Sequence, residues 1–294
     1  MRYQSADFDQ AFSDRFASFK LLGKGGEGAV LSVWDRVRKL DIALKLTRDS
    51  GEPGHFERFE REYQILAVTR SERLVRVFDH GRVLVREPGG GFEPHLWYSM
   101  ERCDTNVRRT LAHMSLPERL AVGLQMLDGL ALLHAKNIAH RDIKPENLFL
   151  TSGADGSRAM KIGDFGIATI ARVAPNAVGG TLYGSPVYLA PERWWPDADD
   201  DWRPADQYAA GVTLFELLSM GQVPLDFSGG HQRGHERSAV RPLPIPERRG
   251  RRVPAVDDVI RQMLAKRPEA RHPDVASCKR ELEAAFLQDG VTGF

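Results

Sequence analysis

The sequence predicts an α+β fold in which a small β-rich N-terminal lobe with one main helix precedes a larger helical C-terminal lobe. Residues 19–47 contain runs of β-forming residues that are separated by a glycine cluster and a charged turn. From about residue 52 to residue 70 the apolar residues recur with helical spacing, and two more strand-like runs follow near residues 74–78 and 96–100. Beyond Cys103 the pattern is mainly helical.

A short amphipathic helix is predicted ahead of the first strand, because Phe8, Phe12 and Phe16 recur at every fourth residue among polar neighbours. This extension, residues 1–18, has two interpretations. It is either a regulatory segment or a helix that packs on the small lobe, and the second interpretation is favoured. The strands that follow are predicted at Leu21-Leu22, Val30-Leu31-Ser32-Val33 and Ile42-Ala43-Leu44-Lys45-Leu46.

The C-terminal lobe contains two well-marked helices. Ser115-Leu116-Pro117-Glu118 forms a capping-box pattern with proline in the first turn, which predicts a helix that carries leucines at 120, 124, 127 and 130. A second apolar helix is predicted from about Asp206 to Met220, ended by Gly221. Residues 228–252 are rich in glycine, proline and arginine, which predicts a long loop.

The bulk properties limit the possible functions. The net charge of +1 argues against nucleic acid or a membrane surface as the main partner. No apolar run is long enough to span a bilayer, and the first residues lack the apolar core of a signal peptide. Two cysteines, Cys103 and Cys278, are too few for a disulfide framework. A reducing, cytoplasmic compartment is the expectation.

The most informative segment is His140-Arg141-Asp142-Ile143-Lys144-Pro145-Glu146-Asn147. It places a carboxylate, an amine and an amide on one short loop. This set suits phosphoryl transfer, which needs a base for a hydroxyl proton, a cation for the moving phosphoryl group and a neutral oxygen ligand for magnesium. Asp164-Phe165-Gly166 begins seventeen residues after Asn147, and Ala190-Pro191-Glu192 comes later.

A glycine-rich segment, Gly23-Lys24-Gly25-Gly26-Glu27-Gly28-Ala29-Val30, fits the pattern G-x-G-x-x-G-x-V. Glycines let backbone N–H groups approach phosphates closely, where a Cβ would obstruct them. Dinucleotide-binding folds share part of this spacing. Here the segment lies between two predicted strands instead of opening a helix, which disfavours that alternative.

In this order the motifs resemble those of eukaryotic-type serine/threonine protein kinases, including the bacterial-like ones, and the resemblance extends from about Phe19 to about Leu287. It implies a two-lobed protein-kinase fold with a kinase domain at 19–287, an N-lobe at 19–102, a C-lobe at 103–287 and a tail at 288–294. The implied activity is transfer of the γ-phosphate of ATP, with Mg²⁺, to Ser/Thr hydroxyls of protein substrates, with autophosphorylation and a signalling role.

The resemblance also implies the catalytic residues. Asp142 would accept or orient the substrate proton, and Lys144 would neutralise the moving phosphate. Lys45 would hold the α- and β-phosphates with Glu62 as its partner, which fits the family pattern better than Glu57 or Glu60. Asn147 and Asp164 would bind Mg²⁺. His140, Asp206 and the pair of Glu192 with Arg271 would have structural roles.

The ATP pocket is implied in the same way. The segment from Tyr98 to Cys103 resembles the hinge that receives adenine through its backbone, with Met100 as gatekeeper. Val30, Ala43 and Phe149 would sandwich the adenine ring, and Phe149 is bulkier than the leucine usual at that position. The implied nucleotide-binding set is Leu22, Gly23, Gly25, Gly28, Val30, Ala43, Lys45, Met100, Glu101, Cys103 and Phe149.

Two charged stretches allow further interpretations. Aspartates at 197, 199, 200 and 201 could form a metal cluster, but they lack the glycine and terminal glutamate of a calcium loop, so a solvated loop is favoured. The arginines at 233, 237, 241, 248, 249, 251 and 252 could dock an acidic partner or nucleic acid, or belong to a solvated insert. Nucleic acid is the less expected partner, and the other two interpretations remain open.

The sequence disfavours two other functional classes. A catalytically dead scaffold would be signalled by loss of Lys45, Asp142, Asn147 or Asp164, and all four are present. Small-molecule kinases of the aminoglycoside-phosphotransferase type lack the Ala-Pro-Glu segment, whereas this sequence contains it together with a substrate-docking segment at 184–188. An active protein kinase is therefore favoured.

Switching is the last expectation. Arg141 precedes Asp142, and an arginine there commonly receives an activation-loop phosphate in this family. Thr169 lies too near Asp164 to reach Arg141. The Ser185 hydroxyl is expected to be hydrogen-bonded to the catalytic aspartate. Autophosphorylation at Thr181 is therefore predicted as the activating event.

Overall fold

The computed structural model describes residues 3–25, 28–49, 56, 59–60, 63–64, 67, 69–87, 90–152, 158–164, 186–194, 201–248 and 251–291. The chain divides into two compact units. Unit 1 comprises Met1–Ser71, Val75–Cys103 and Ile167–Ala171, and unit 2 comprises Glu72–Leu74, Asp104–Gly166 and Arg172–Phe294. In the described residues, no helix is both long enough and apolar enough to cross a membrane.

Unit 1 is built on a five-stranded antiparallel sheet with the order β1-β2-β3-β5-β4. The strands are β1 (Phe16–Gly25), β2 (Gly28–Asp35), β3 (Leu40–Arg48), β4 (Val77–Arg86) and β5 (Phe92–Glu101). One face of the sheet forms a closed apolar core with Leu31, Leu44 and Leu46, each at most 1% exposed. The described residues at 56, 59–60, 63–64 and 67 are helical, as predicted for this region.

The N-terminal helix α1 (Gln10–Arg15) is shorter than the phenylalanine spacing predicted. Asp9 ends the preceding segment by accepting a hydrogen bond from the N–H of Phe12, at 3.0 Å. Phe8, expected on the helix, instead forms a β-bridge with Val85, and Phe16 already belongs to β1. The aromatic side chains of this segment pack on the core face, where the ring of Phe12 lies edge-on to Trp97 at 5.5 Å.

A buried charge cluster ties α1 to the sheet. Asp35, which is 0% exposed, pairs with Arg15 at 3.1 Å and with Arg38 at 3.0 Å, and Asp79 pairs with the same two arginines. Burial alone would raise the pKa of Asp35, but the hydrogen bonds from Arg15 and Arg38 hold it below its usual value. The N-terminal segment is therefore fixed by charge as well as by packing.

The fourth strand corrects the sequence analysis. A strand was predicted at 74–78, but β4 begins at Val77 and continues to Arg86, through Asp79, His80 and Gly81. Leu74 instead makes a parallel bridge to Ile162 in unit 2. The run at 96–100 lies within β5, and Gly90 and Gly91 are exposed, as predicted for the connection.

Unit 2 combines helices with a small three-stranded sheet. The helices are α2 (Val107–Thr110), α3 (Leu116–His134), α4 (Arg203–Leu218), α5 (His231–Arg237), α6 (Pro254–Met263) and α7 (Val275–Gln288). The strands are β6 (Thr105–Asn106), β7 (Leu148–Ser152) and β8 (Arg158–Ile162).

The predicted capping box begins α3. The N–H of Glu118 donates to the Ser115 hydroxyl at 3.4 Å, and the N–H of Ser115 donates to the Glu118 carboxylate at 2.8 Å. The second predicted helix, α4, is buried at every residue from Ala205 to Leu218. A helix buried all round must satisfy its polar side chains internally, which gives α4 its role in the site.

Residues 228–252 are not the long loop that their composition predicted. They contain α5 and a 3₁₀ turn at Pro246–Arg248. Gly234 allows the close approach of α5, because a Cβ there would lie 2.8 Å from the carbonyl oxygen of Asp226. Arg248 is used internally, since its guanidinium donates to the carbonyl groups of Asp289 and Gly290 at the end of α7.

Candidate active site

The loop before β7 is anchored by one carboxylate of α4. Asp206, 1% exposed, accepts the backbone N–H groups of His140 and Arg141, each at 2.7 Å, and contacts Nε2 of His134 at 3.0 Å. Arg141 has a φ of +70°, which an L-residue adopts only when its surroundings fix it. The Asp206 carboxylate therefore sets the backbone that carries Asp142. The sequence analysis gave Asp206 this anchoring role.

Asp142, Lys144 and Asn147 form one hydrogen-bonded cluster. The Lys144 ammonium lies 2.9 Å from Oδ1 and 2.7 Å from Oδ2 of Asp142. The Asn147 amide donates to Oδ2 and to the backbone oxygen of Asp142, both at 2.7 Å. The side chains of Asp142 and Lys144 are 24% and 16% exposed, so the cluster is accessible but ordered. These three residues are brought together as the motif predicted.

The β7–β8 hairpin places Asn147 and Asp164 at the same end. Leu148 pairs with Ile162, so the residue before β7 lies opposite the residue after β8. The N–H of Gly163 donates to the carbonyl of Asn147 at 3.0 Å, which fixes the backbone that leads into Asp164. Asp164 has a φ of +53°. The carboxylate of Asp164 and the amide oxygen of Asn147 are hard oxygen ligands, so the donor set fits Mg²⁺.

His140 is a buried, neutral support of this loop. Its Nε2 lies 3.1 Å from the carbonyl oxygen of Gly163, and its Nδ1 lies 3.3 Å from the N–H of Asp142. A carbonyl only accepts, so Nε2 carries the proton and Nδ1 accepts. Burial lowers the pKa of His140, which keeps the ring neutral. The structural role given to His140 fits this geometry.

In unit 1, the glycine-rich segment forms the end of the β1–β2 hairpin. Gly25 pairs with Gly28, and Gly23 pairs with Val30. Gly28 has a φ of +137°, and a Cβ there would lie 1.9 Å from the carbonyl oxygen of Leu46. Only glycine fits at position 28.

Four of the predicted nucleotide-binding residues share one face of the sheet. Val30 lies opposite Lys45, and Ala43 lies opposite Met100. Side chains alternate between faces along a strand, so Ala43 and Lys45 point to the same side. Leu44 and Leu46 point to the core face. The register thus groups Val30, Ala43, Lys45 and Met100.

The other predicted nucleotide-binding residues have varied surroundings. Leu22 lies at an irregularity of the β1–β2 ladder and is 40% exposed. Glu101 is engaged with Arg76, because its N–H donates to the Arg76 carbonyl and its carboxylate accepts the Arg76 N–H at 2.7 Å. Cys103 is partly exposed and lies in no disulfide. Phe149, on β7 in unit 2, is partly exposed.

Several predicted positions lie outside the described residues. They are Glu62, Phe165, Gly166, Thr169, Thr181, Ser185 and the aspartates 197, 199 and 200. Glu60, which the sequence analysis ranked below Glu62, lies 3.5 Å from Nε2 of His80. Asp201 is paired with Arg203 at 2.8 Å, and these hydrogen bonds lower the pKa of Asp201 to about 2. The described residues contain no group of three or more metal-binding side chains.

The Ala-Pro-Glu segment is joined to the last helical region. Arg271 donates to Oε1 and Oε2 of Glu192 at 2.7 and 2.8 Å, and its side chain is 0% exposed. Arg271 also donates to the carbonyl groups of Pro204 and Ala265. The ion pair that the resemblance implies between Glu192 and Arg271 is therefore present, and it is bidentate.

A second polar network, which was not predicted from the sequence, surrounds Arg108. Arg108 on α2 donates to Glu146 at 2.7 Å, to both oxygens of Glu216 and to the Tyr188 hydroxyl at 2.6 Å. Tyr188 in turn donates to Glu216 at 2.6 Å. The carboxylates of Glu216 and Glu146 raise the pKa of Arg108 despite its partial burial. The one signal in the sequence was Glu216, a carboxylate in an apolar helix.

A sheet-based unit with a glycine hairpin, and a helical unit with an Asp-Lys-Asn cluster beside a hairpin-borne aspartate, define a protein kinase. The comparisons agree. The protein kinase domain family matches residues 16–282, and the chain belongs to this family.

The relatives are bacterial serine/threonine kinases. The serine/threonine-protein kinase Pkn1 of Myxococcus xanthus is 31% identical over 93% of this chain and 39% of its own length. PknB of Mycolicibacterium smegmatis is 28% identical over 93% of this chain and 43% of its own. The chain therefore spans about two fifths of the length of these relatives. The crystal structure of Rad53 1-466 in complex with AMP-PNP matches the fold with a TM-score of 0.70 at 20% identity, over 92% of this chain and 66% of that one.

Proposed function

We propose that this chain transfers the γ-phosphate of ATP to serine or threonine hydroxyls of protein substrates, including its own. The observation that carries the proposal is the cluster of Asp142, Lys144 and Asn147, in which a carboxylate, an ammonium and an amide are bonded within 3 Å. Membership of the protein kinase family and similarity to kinases named as serine/threonine-directed support it.

In this reaction Asp142 orients the attacking hydroxyl and accepts its proton. Lys144 is held against Asp142 and offers its ammonium to the phosphoryl group as charge develops there. The amide of Asn147 holds the Asp142 carboxylate in one orientation. Preorganised charge of this kind supplies most of the catalysis in phosphoryl transfer, since the protein forms no covalent bond to the phosphate.

Asn147 and Asp164 would hold Mg²⁺. Both hydrogens of the Asn147 amide are directed at Asp142, so the side chain offers its oxygen as a ligand. When bound, Mg²⁺ would neutralise phosphate charge. The fixed backbone of Gly163 and the positive φ of Asp164 support a preformed ligand position.

The nucleotide would be bound by the glycine hairpin and by the face that carries Val30, Ala43, Lys45 and Met100. Lys45 would hold the α- and β-phosphates with Glu62 as its partner. Leu22 and the backbone of residues 101–103 would contact the base. Neither cysteine lies in a disulfide, and this, together with the use of ATP, favours action in the cytoplasm.

The basic stretch 233–252 could still dock an acidic protein. Arg233, Arg237, Arg251 and Arg252 are exposed, whereas Arg248 is used to cap α7. Exposed charge attracts partners mainly through long-range steering, so such docking would weaken with salt.

The test is phosphate transfer from labelled ATP to a degenerate peptide library by the wild-type chain and by Asp142→Asn. Asp142→Asn should fold normally and lose nearly all turnover, by roughly a thousandfold or more, because only the proton acceptor changes. Asp128→Asn on the surface of α3 is the matched control and should retain activity. Near-normal phosphorylation by Asp142→Asn would refute the proposal. Transfer to aminoglycosides but to no peptide would favour a small-molecule kinase, and transfer to neither would favour a scaffold.

A further inference from the structure

His235 on α5 is fully buried and bridges two distant segments. Its Nε2 lies 2.7 Å from the carbonyl oxygen of Pro186, and its Nδ1 lies 2.8 Å from the hydroxyl of Tyr208 on α4. The ring is 0% exposed. Neither partner is local in sequence, so these bonds join three separate parts of unit 2.

The two hydrogen bonds define one state of the ring. A carbonyl oxygen can only accept, so Nε2 carries the hydrogen that binds Pro186. Burial lowers the pKa of His235 to about 4, so the ring is neutral at pH 7. A neutral imidazole has a single donor, and Nδ1 must therefore accept the hydroxyl hydrogen of Tyr208. Tyr208 thus selects the form of His235 that donates to Pro186.

Tyr208 is itself immobilised. It is 0% exposed, and the Arg271 guanidinium lies over its ring at 5.0 Å while binding Glu192. The ring of Phe227 lies 5.0 Å from His235. The histidine is therefore held by α4 on one side and packed by an aromatic ring on another.

The segment that His235 holds is connected to the catalytic loop at its other end. Pro186–Tyr188 form a 3₁₀ turn. The Tyr188 hydroxyl bonds to Arg108, and Arg108 bonds to Glu146, the residue before Asn147. The first residue of the turn, Pro186, is thus held by His235, and the last residue, Tyr188, is held by Arg108.

We propose that His235 is a positioning residue for the protein substrate, because it fixes the backbone of the Pro186–Tyr188 turn beside the catalytic loop. The inference rests on the proposed kinase function. A polypeptide acceptor must lie along neighbouring backbone for its hydroxyl to reach Asp142, so a displaced turn weakens peptide binding. None of the predicted nucleotide-binding residues lies in this turn, so the KM for ATP should not respond to its displacement.

The test compares His235→Gln, whose side-chain amide nitrogen replaces Nε2, with His235→Asn, whose amide replaces Nδ1. In His235→Gln the amide nitrogen has the same number of bonds from the backbone as Nε2 and can still donate to Pro186. In His235→Asn the polar group corresponds to Nδ1 and cannot reach Pro186. His113→Asn, at an exposed histidine, is the matched control. Steady-state kinetics use the library peptide that the wild type phosphorylates best.

We expect His235→Asn to raise the KM for the peptide about tenfold, as loss of one buried hydrogen bond predicts, with kcat and the KM for ATP within about twofold of wild type. His235→Gln should restore most of the peptide KM, and His113→Asn should match wild type. An unchanged peptide KM in His235→Asn, equal effects on the KM for ATP, or no rescue by glutamine would overturn the inference.

A spectroscopic measurement covers the case in which His235→Asn does not fold. In ¹⁵N-histidine NMR of the wild-type chain, assigned by loss of the signal in His235→Gln, the ring should show the Nε2–H form, and Tyr208→Phe should weaken this preference. A signal from the Nδ1–H or the protonated form would overturn the inference. If the wild type phosphorylates no peptide, the proposed function fails and the inference fails with it. If the wild type is active and His235→Asn binds peptide normally, only the inference fails.

Discussion

Removing the carboxylate of Asp206 is expected to release the catalytic loop while the rest of unit 2 stays folded. The carboxylate accepts the N–H groups of His140 and Arg141 at 2.7 Å in a site that is 1% exposed. In Asp206→Ala both N–H groups lose this partner. In Asp206→Asn one oxygen remains, but an amide N–H replaces the other and faces a backbone N–H.

The magnitude follows from these contacts. A hydrogen bond to a charged group contributes about 1.5–3 kcal/mol, so two contribute about 3–6 kcal/mol. Release lets Arg141 leave its positive φ, which returns about 1–2 kcal/mol. The net loss for Asp206→Ala is then about 3 kcal/mol, within a range of about 1–5 kcal/mol, in the free energy of opening this loop. Asp206→Asn should lose about half as much.

Hydrogen exchange measured by mass spectrometry on a peptide that covers residues 138–144 reports this free energy directly. A loss of about 3 kcal/mol corresponds to a rise of roughly a hundredfold in exchange at the two amides, and the range of about 1–5 kcal/mol corresponds to roughly 5-fold to 4,000-fold. The kcat should fall by about a hundredfold, because Asp142 is no longer held in place. Asp128→Ala, which removes a partly exposed pair with Lys279, should change neither. A folded Asp206→Ala with wild-type protection at these amides would refute the reasoning.

Three further results are expected. Arg271→Met leaves the Glu192 carboxylate without its bidentate partner, so it should lower the free energy of unfolding in denaturant by about 3–5 kcal/mol. Arg271→Lys keeps the charge and should lower it by less, and an equal loss in the two variants would contradict this. Burial lowers the pKa of His235 to about 4 in the folded chain, against about 6.5 in the unfolded chain, so its contribution to stability is complete above about pH 6.5 and is lost as the pH falls towards 4. The free energy of unfolding of the wild type should therefore fall by up to about 3 kcal/mol more than that of His235→Gln between about pH 6.5 and pH 4. Denaturant unfolding at several pH values measures this difference, and the same pH dependence in both proteins would count against the prediction. Thr181→Ala should lower activity if a phosphate at Thr181 pairs with Arg141. Activation by Thr181 phosphorylation would be excluded if mass spectrometry of the active enzyme finds Thr181 unmodified and the variant keeps full activity.

The catalytic loop was predictable because its chemistry is local. Asp142, Lys144 and Asn147 lie within six residues, and a loop that short must bring their side chains together. The start of α3 was predictable for the same reason, since a capping box needs only Ser115 and Glu118. The face shared by Lys45 and Met100 could not be derived from the strands alone, because it depends on the register between β3 and β5.

Where the prediction was wrong, tertiary context outweighed composition. Strand β4 contains Asp79 and Gly81, residue types that are depleted in strands. It lies at the edge of the sheet, its ladder is irregular between Val77 and His80, and Asp79 is paired with arginines. The glycines of 228–252 likewise predicted a loop, but Gly234 is what lets α5 pack closely against residues 226 and 227.

The polar residues of α4 were visible in the sequence, but their partners were not. Buried polar groups must be hydrogen-bonded, so Asp206, Tyr208 and Glu216 in a fully buried helix each require a partner. The partners are distant in sequence. Asp206 binds the backbone 65 and 66 residues earlier, the Tyr208 hydroxyl binds His235, 27 residues later, and Glu216 binds Arg108, 108 residues earlier. Sequence reasoning can predict that such bonds exist, but only the fold identifies them. Asp206 fixes the catalytic loop, whereas Tyr208, through His235, and Glu216, through Tyr188, hold opposite ends of the same Pro186–Tyr188 turn. Substitutions at Tyr208 and at Glu216 should therefore both displace that turn, and substitutions at Asp206 should act first on the catalytic loop.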